Sequence, residues 1–224
     1  MPRRVAQFYP QRVNMRVPAM AYTADVTNND IVHVQFGAPA ALNNTAILSG
    51  QSVSAAGTVA PATATYTGSE SQMARYGRGL RLVASGAYTG VVTVNGRDYL
   101  GQRVQEQLTA NGTTPVLGVK AFRYIDSISW TTTGAVTIDV GLTNVLGLPY
   151  KYEQLIAETK NGVAAANAGT FVVGLANATA ATATNADVRG TYLPVTVIPD
   201  GTNTFELRYI ADTSNLHGNR QFTA

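Results

Sequence analysis

The chain has 224 residues, 45% of them hydrophobic and 13% charged, with 21 Gly, 9 Pro and no Cys, so it can bury one large β core or two small lobes but cannot build a disulfide framework or a thiolate metal site. Net charge is +3, split as +6 over residues 1–123 (eleven basic, five acidic) and −3 over residues 124–224 (five basic, eight acidic), a balance that suits a basic amino-terminal half to an acidic partner. The longest apolar runs fall short of the roughly 18 residues a membrane span requires, and the first twenty residues lack the apolar stretch of a secretory signal.

Residues 1–24 read as an extended arm. Pro2, Pro10 and Pro18 interrupt any helix, and Arg3, Arg4, Arg12 and Arg16 precede the first acid, Asp25. Phe8, Tyr9, Val13, Met15 and Val17 give the arm apolar contacts. Residues 25–224 form the β-rich part. "DIVHVQFG" alternates Asp30, Val32, Val34 and Phe36 against Ile31, His33 and Gln35, the period of a strand. Residues 37–72 are poor in charge and rich in Ala, Thr, Ser and Gly. They are expected to form a mobile loop with one weak strand around Ala46 to Val53.

From Arg78 onward the strands are clearer. "GLRLVAS" and "GVVTVNG" are separated by a turn, and "RDYLGQ" turns the chain into "RVQEQLT". Asn111-Gly112 predicts a hairpin. In "VKAFRYIDSISW" the period of two sets Phe122, Tyr124, Asp126, Ile128 and Trp130 on one face. "AVTIDVG", Tyr150 to Thr159 and "GTFVVGLA" follow as strands, then "ATAATATNA" as a turn-rich linker. "DVRGTYLPVTV" is extended, and Pro194 places it at an edge or a bulge. "TFELRYIA" turns Phe205, Leu207 and Tyr209 inward. Ten or eleven short strands with almost no helix predict an all-β fold, an antiparallel β-sandwich or barrel-like domain with an extended N-terminal arm and room for two lobes.

The search for chemistry yields little. His33 and His217 have no second ligand at metal spacing, and no phosphate-cradling loop or nucleophile elbow occurs. Glu106 and Asp126 could meet as a carboxylate pair of glycosidase type, although pairing with Arg103 or Arg123 is the commoner outcome. Arg75, Arg78, Arg81, Arg97, Arg103, Lys120 and Arg123 are interleaved with Tyr76, Tyr88, Tyr99, Phe122 and Tyr124. That mixture serves single-strand nucleic acid, but Arg and Tyr are also favoured at protein interfaces, and the interface is the preferred reading. No enzyme activity, cofactor, metal, membrane or direct nucleic-acid partner is expected.

The stretch "GVVTVNGRDYLGQRVQEQLTANGTTPVLGVKAFRYIDSISW", with "NVLGLPYKY" and "DVRGTYLPVTVIPDGTNTFELRYI" further on, resembles a pattern of turns and strands in virion structural proteins of tailed bacteriophages. The resemblance spans about Arg78 to Ala211. It implies a capsid decoration or cement protein that is assembled in the bacterial host cytoplasm and resides in the virion. Its implied partners are the major capsid protein and further copies of itself, as a dimer or trimer. Arg3, Arg4, Phe8, Tyr9, Arg12 and Arg16 are the expected capsid contacts. A tail-tube, head-completion or tail-tip subunit is the alternative. A second alternative is a carbohydrate-binding β-sandwich at the tail tip that uses Tyr88, Tyr99 or Trp130 as a stacking platform.

Overall fold

The computed structural model describes residues 29–69, 72–184 and 186–212. The chain is all-β: these residues form fourteen strands in three sheets, every pairing is antiparallel, and no helix occurs among them. The first sheet runs β1 (Asn29–Gly37), β14 (Phe205–Asp212), β10 (Tyr152–Lys160), β11 (Val163–Ala164). The second runs β12 (Thr170–Val173), β13 (Gly190–Leu193), β9 (Thr137–Gly147), β4 (Arg78–Ala84), β7 (Val116–Leu117), and β2 (Asn43–Ser52) also pairs with β9. The third runs β3 (Gly57–Val59), β8 (Tyr124–Trp130), β5 (Val91–Arg97), β6 (Arg103–Thr109).

The period-two patterns explain the packing. In β5, Val92 and Val94 turn inward while Thr93 and Asn95 do not, and in β4 Leu80, Leu82 and Ala84 share the inner face. The third sheet thus packs on the second across a core that includes Ile47, Leu48, Leu80, Leu82, Val92, Val94, Ile128, Trp130, Val140 and Leu142. A second core lies between the first sheet and the far end of the second, with Val34, Phe36, Leu146, Tyr192, Phe205, Leu207 and Tyr209. Each large apolar side chain removed from water in this way stabilises the fold by about 1.5–3 kcal/mol. β9 serves both cores, with Ile138, Val140 and Leu142 in one and Leu146 in the other.

β9 is also where the backbones approach most closely. A Cβ at Gly141 would collide with the Asn43 carbonyl oxygen and the backbone of Asn44 on β2. Backbone cannot step aside as a flexible side chain can. Gly141→Ala is therefore expected to destabilise by at least the upper end of the roughly 1–3 kcal/mol typical of overpacking, read as a drop in the urea midpoint. An unchanged midpoint would show that β2 can separate from β9 at no cost.

The strand expected around Ala46 to Val53 is present as the longer β2, paired with β9, and the short β3 is added after it. Three local expectations are corrected. The Asn111-Gly112 turn does not close a hairpin, because β6 pairs with β5 while β7 pairs with β4. The turn instead carries the chain from one sheet to the next. In β8 the register shifts between Asn95↔Ser127 and Gly96↔Ile125. Asp126 is the extra residue of that bulge and faces solvent, so Ile125 joins Ile128 and Trp130 in the core. Finally, β13 lies between β12 and β9, and Pro194 sits just beyond its end, where the missing N–H disrupts no ladder.

Candidate functional site

The predicted contact residues Arg3, Arg4, Phe8, Tyr9, Arg12 and Arg16, and His217, lie outside the described residues. The aromatic platform is not assembled. Tyr88 is 4% and Trp130 5% exposed, and their polar atoms donate to the carbonyls of Thr132 and Ala55. Tyr99 carries the Arg189 guanidinium over its ring at 4.9 Å and packs edge-on to Tyr76. Glu106 and Asp126 do not meet, because Glu106 is buried and Asp126 faces solvent, 3.2 Å from Arg97 Nε. The basic stretch is divided as well: Arg78 and Lys120 are buried, whereas Arg75, Arg97 and Arg103 are exposed.

Three ionic clusters are built into the interior. Asp98 opens the turn after β5. Its Oδ1 accepts the backbone N–H groups of Leu100 and Gln102, both at 2.9 Å, and its Oδ2 accepts Arg189 Nη2 at 2.8 Å. Arg189 Nε also donates to the Leu148 carbonyl at 3.3 Å, so this side chain joins the third sheet's turn to the end of β9. The Tyr99 hydroxyl donates to the Pro149 carbonyl, and burial pushes its pKa up to about 12.

The second cluster is Glu106, Lys120 and Asp187. Glu106 Oε1 accepts the N–H groups of Val119 (2.6 Å) and Lys120 (3.2 Å), and Oε2 is buried without a hydrogen bond. Lys120 Nζ donates to the carbonyls of Gln105 (3.0 Å) and Ala180 (2.6 Å). Asp187 accepts the Ala121 and Arg189 N–H groups. Burial raises the Glu106 carboxyl to about 7 and lowers Lys120. These contacts fasten residues 174–184 and 186–189 over β6, where the Gln107 N–H also bonds the Ala181 carbonyl.

In the third cluster Glu158 accepts the Tyr192 hydroxyl (2.5 Å), Lys160 Nζ (3.1 Å) and the Gly169 N–H (2.7 Å), tying β10 to β13. Burial and the bond to Glu158 raise the Tyr192 pKa. Arg78 stands apart. Nε donates to the Thr143 carbonyl at 2.7 Å, both terminal nitrogens are buried without a hydrogen bond, and burial lowers its pKa to about 10.

A general acid or base must come within hydrogen-bond reach of a bound substrate. Apart from Glu106 Oε2, the carboxylate oxygens of these clusters accept backbone N–H groups, the Tyr192 hydroxyl or internal cations, and these bonds clamp sheet to sheet. No group of three or more His, Asp or Glu that could hold a metal occurs among the described residues.

The surface shows a different property. β11 ends the first sheet and β12 the second, and residues 165–169 join them. Val163 is 68% exposed, Val173 48%, Val172 38% and Leu193 37%. Among the described residues neither of these two short apolar strands has a strand on its outer edge, the kind of surface that pairs with another molecule. No protein-family model, curated protein or solved structure matches the chain.

Proposed function

We propose that this protein is a structural subunit of a tailed-bacteriophage virion, a decoration or cement protein that seats on the major capsid protein of the head. The observation that carries the reading is the pairing of a clamped interior with apolar strand edges at β11 and β12. The buried charges are spent on rigidity, and the adhesive surface lies at sheet edges. The turn and strand signatures between Arg78 and Ala211 support the virion assignment through their resemblance to phage structural proteins. In a repetitive shell many modest contacts add up, so each copy needs only a weak attachment. The four arginines of residues 1–24 supply charge for acidic patches of the shell, and the apolar edges supply the dry contact.

The test uses shells stripped of the protein. Full chain added back is expected to co-sediment to saturation, and a variant lacking residues 2–18 is expected to fold but stay in the supernatant. Saturation by the truncated chain would remove the arm from the mechanism. A full chain that ignores shells and instead forms rings or tubes by itself would replace decoration with a tail-tube or head-completion role.

A further inference from the structure

Residues 38–42 carry the chain from β1 to β2 and, with the start of β2, enclose a pocket of about 470 Å³. That volume falls within the roughly 300–1,000 Å³ of small-molecule sites. Ala46 and Leu142, both buried, form its floor, and Ala41 and Leu42 stand at its wall. Asn43, Asn44 and Gln72 bring three primary amides to the rim. No charged side chain lines the pocket among the described residues.

The rim is fixed from several sides. The Pro39 carbonyl accepts the Gly201 N–H at 2.8 Å, which pins the loop before the pocket. Gly141 lets the β2 backbone at Asn43 and Asn44 lie directly against β9. Asn43 Oδ1 accepts the Thr45 N–H (2.9 Å) and the Thr45 hydroxyl (3.1 Å), so its lone pairs are used and this amide offers only N–H donors. Gln72 Oε1 accepts the Ser69 N–H at 3.0 Å, which orients the second amide. The exposed Asn44 amide makes no hydrogen bond among the described residues and offers both donor and acceptor. Groups held in place beforehand reduce the ordering cost of binding.

These features select a ligand. A charged group would lose hydration with no counter-ion to compensate it. A purely apolar group would cover the amides and leave their N–H groups unbonded. The complement is a neutral group with a methyl for the floor, a carbonyl for the N–H groups of Asn43 and Gln72, and an N–H for the Asn44 carbonyl. An acetamido substituent has all three. Primary amides carry two N–H donors each, so the three at the rim exceed what one carbonyl oxygen accepts, and the hydroxyls of a pyranose ring take the remainder. That excess of donors favours a sugar over a peptide.

We propose that this pocket binds one N-acetylated hexosamine residue of a neutral glycan, with the acetamido methyl on Ala46 and Leu142 and its polar atoms on Asn43, Asn44 and Gln72. None of the lining residues belongs to β11 or β12. Glycan binding and shell binding therefore fail or succeed independently.

The experiment titrates the full chain, free of shells, by calorimetry with chitotriose, cellotriose and N-acetyl-trialanine amide. Chitotriose is expected to bind saturably. Cellotriose carries a hydroxyl in place of each acetamido group and should bind about tenfold weaker or worse, because the rim amides are then left unpaired. Asn44→Ala and Gln72→Ala should each weaken chitotriose by about tenfold. Ala41→Trp sets a bulky ring at the exposed wall and should abolish binding. Leu117→Ala, at an exposed residue of β7 outside the pocket, should leave it unchanged. The Asn44 side chain has no internal bond to lose, so the urea midpoint of Asn44→Ala should match wild type and separate lost binding from lost folding. Absence of saturable chitotriose binding, or binding indifferent to Asn44→Ala and Gln72→Ala, overturns the proposal. Cellotriose binding as tightly as chitotriose overturns it by removing the acetamido group from recognition. The acetylated peptide binding as tightly also overturns it and makes the pocket a peptide site.

Discussion

Arg189→Ala is expected to cost about 3–5 kcal/mol of unfolding free energy, the range for removing one partner of a buried ion pair. The Arg189 and Asp98 side chains are 1% and 0% exposed, so neither charge can turn to water when the other is lost. The substitution also removes the hydrogen bond to the Leu148 carbonyl and the cation over Tyr99. Replacing both charges, as in Asp98→Asn with Arg189→Met, should recover much of the loss, because the penalty lies in the stranded carboxylate. Asn keeps an oxygen for the Leu100 and Gln102 N–H groups that shape the turn. Urea unfolding of the two single variants and the double variant completes the cycle. If the double variant is as unstable as the sum of the singles, the pair is not a coupled unit.

Glu106→Gln should flatten the pH dependence of stability between about pH 4.5 and 7. Burial raises the folded carboxyl from its ordinary 4.5 to about 7. Below pH 4.5 the group is protonated in both states. Between 4.5 and 7 the unfolded chain releases the proton while the folded chain keeps it, so stability falls as pH rises, and above about 7 the loss is complete. At about 1.4 kcal/mol per pH unit, the loss from this group is on the order of 3 kcal/mol. The groups that face it are Lys120, whose own pKa burial lowers, and Asp187. Gln keeps an acceptor for the Val119 and Lys120 N–H groups and has nothing to titrate. Unfolding curves at pH 5 and pH 8 for wild type and variant decide the matter. Parallel curves would mean that Glu106 titrates as an ordinary carboxylate.

Much of the architecture is readable from period-two patterns. "FELRYIA" becomes β14 with Phe205, Leu207 and Tyr209 inward, as the alternation dictates. The pattern fails where the backbone adds a residue. The bulge at Asp126 shifts the face of half of β8, and no local property of "RYIDSISW" marks it, since the cause is the register against β5. Ala and Thr hide structure differently. "ATAATATNA" looks like a linker because small residues carry no strong period, yet Ala178, Ala186 and Val188 are fully buried where the segment closes over β6. The buried ion pairs were the least legible. Asp98 in "RDYLGQ" reads as a turn former, which it is, but its second oxygen is committed to a residue 91 positions away. The bonds from Gln105 to Asn95 and from Asn95 to Ser127 required the β6-β5-β8 order, which only the assembled sheet supplies.

The pairing of β1 with β14 joins the first described residues to the last, Asn29 to Asp212. The core around Leu82 and Val140 draws on residues 46–142 and can close while the chain is still being made. β1 cannot, because its partner emerges more than 160 residues later. At about 5–20 residues per second of synthesis, the strand waits on the order of 10–30 s with a bare edge. During that interval neighbouring nascent chains compete for it, and the yield of correctly closed subunits becomes a race between translation and mispairing.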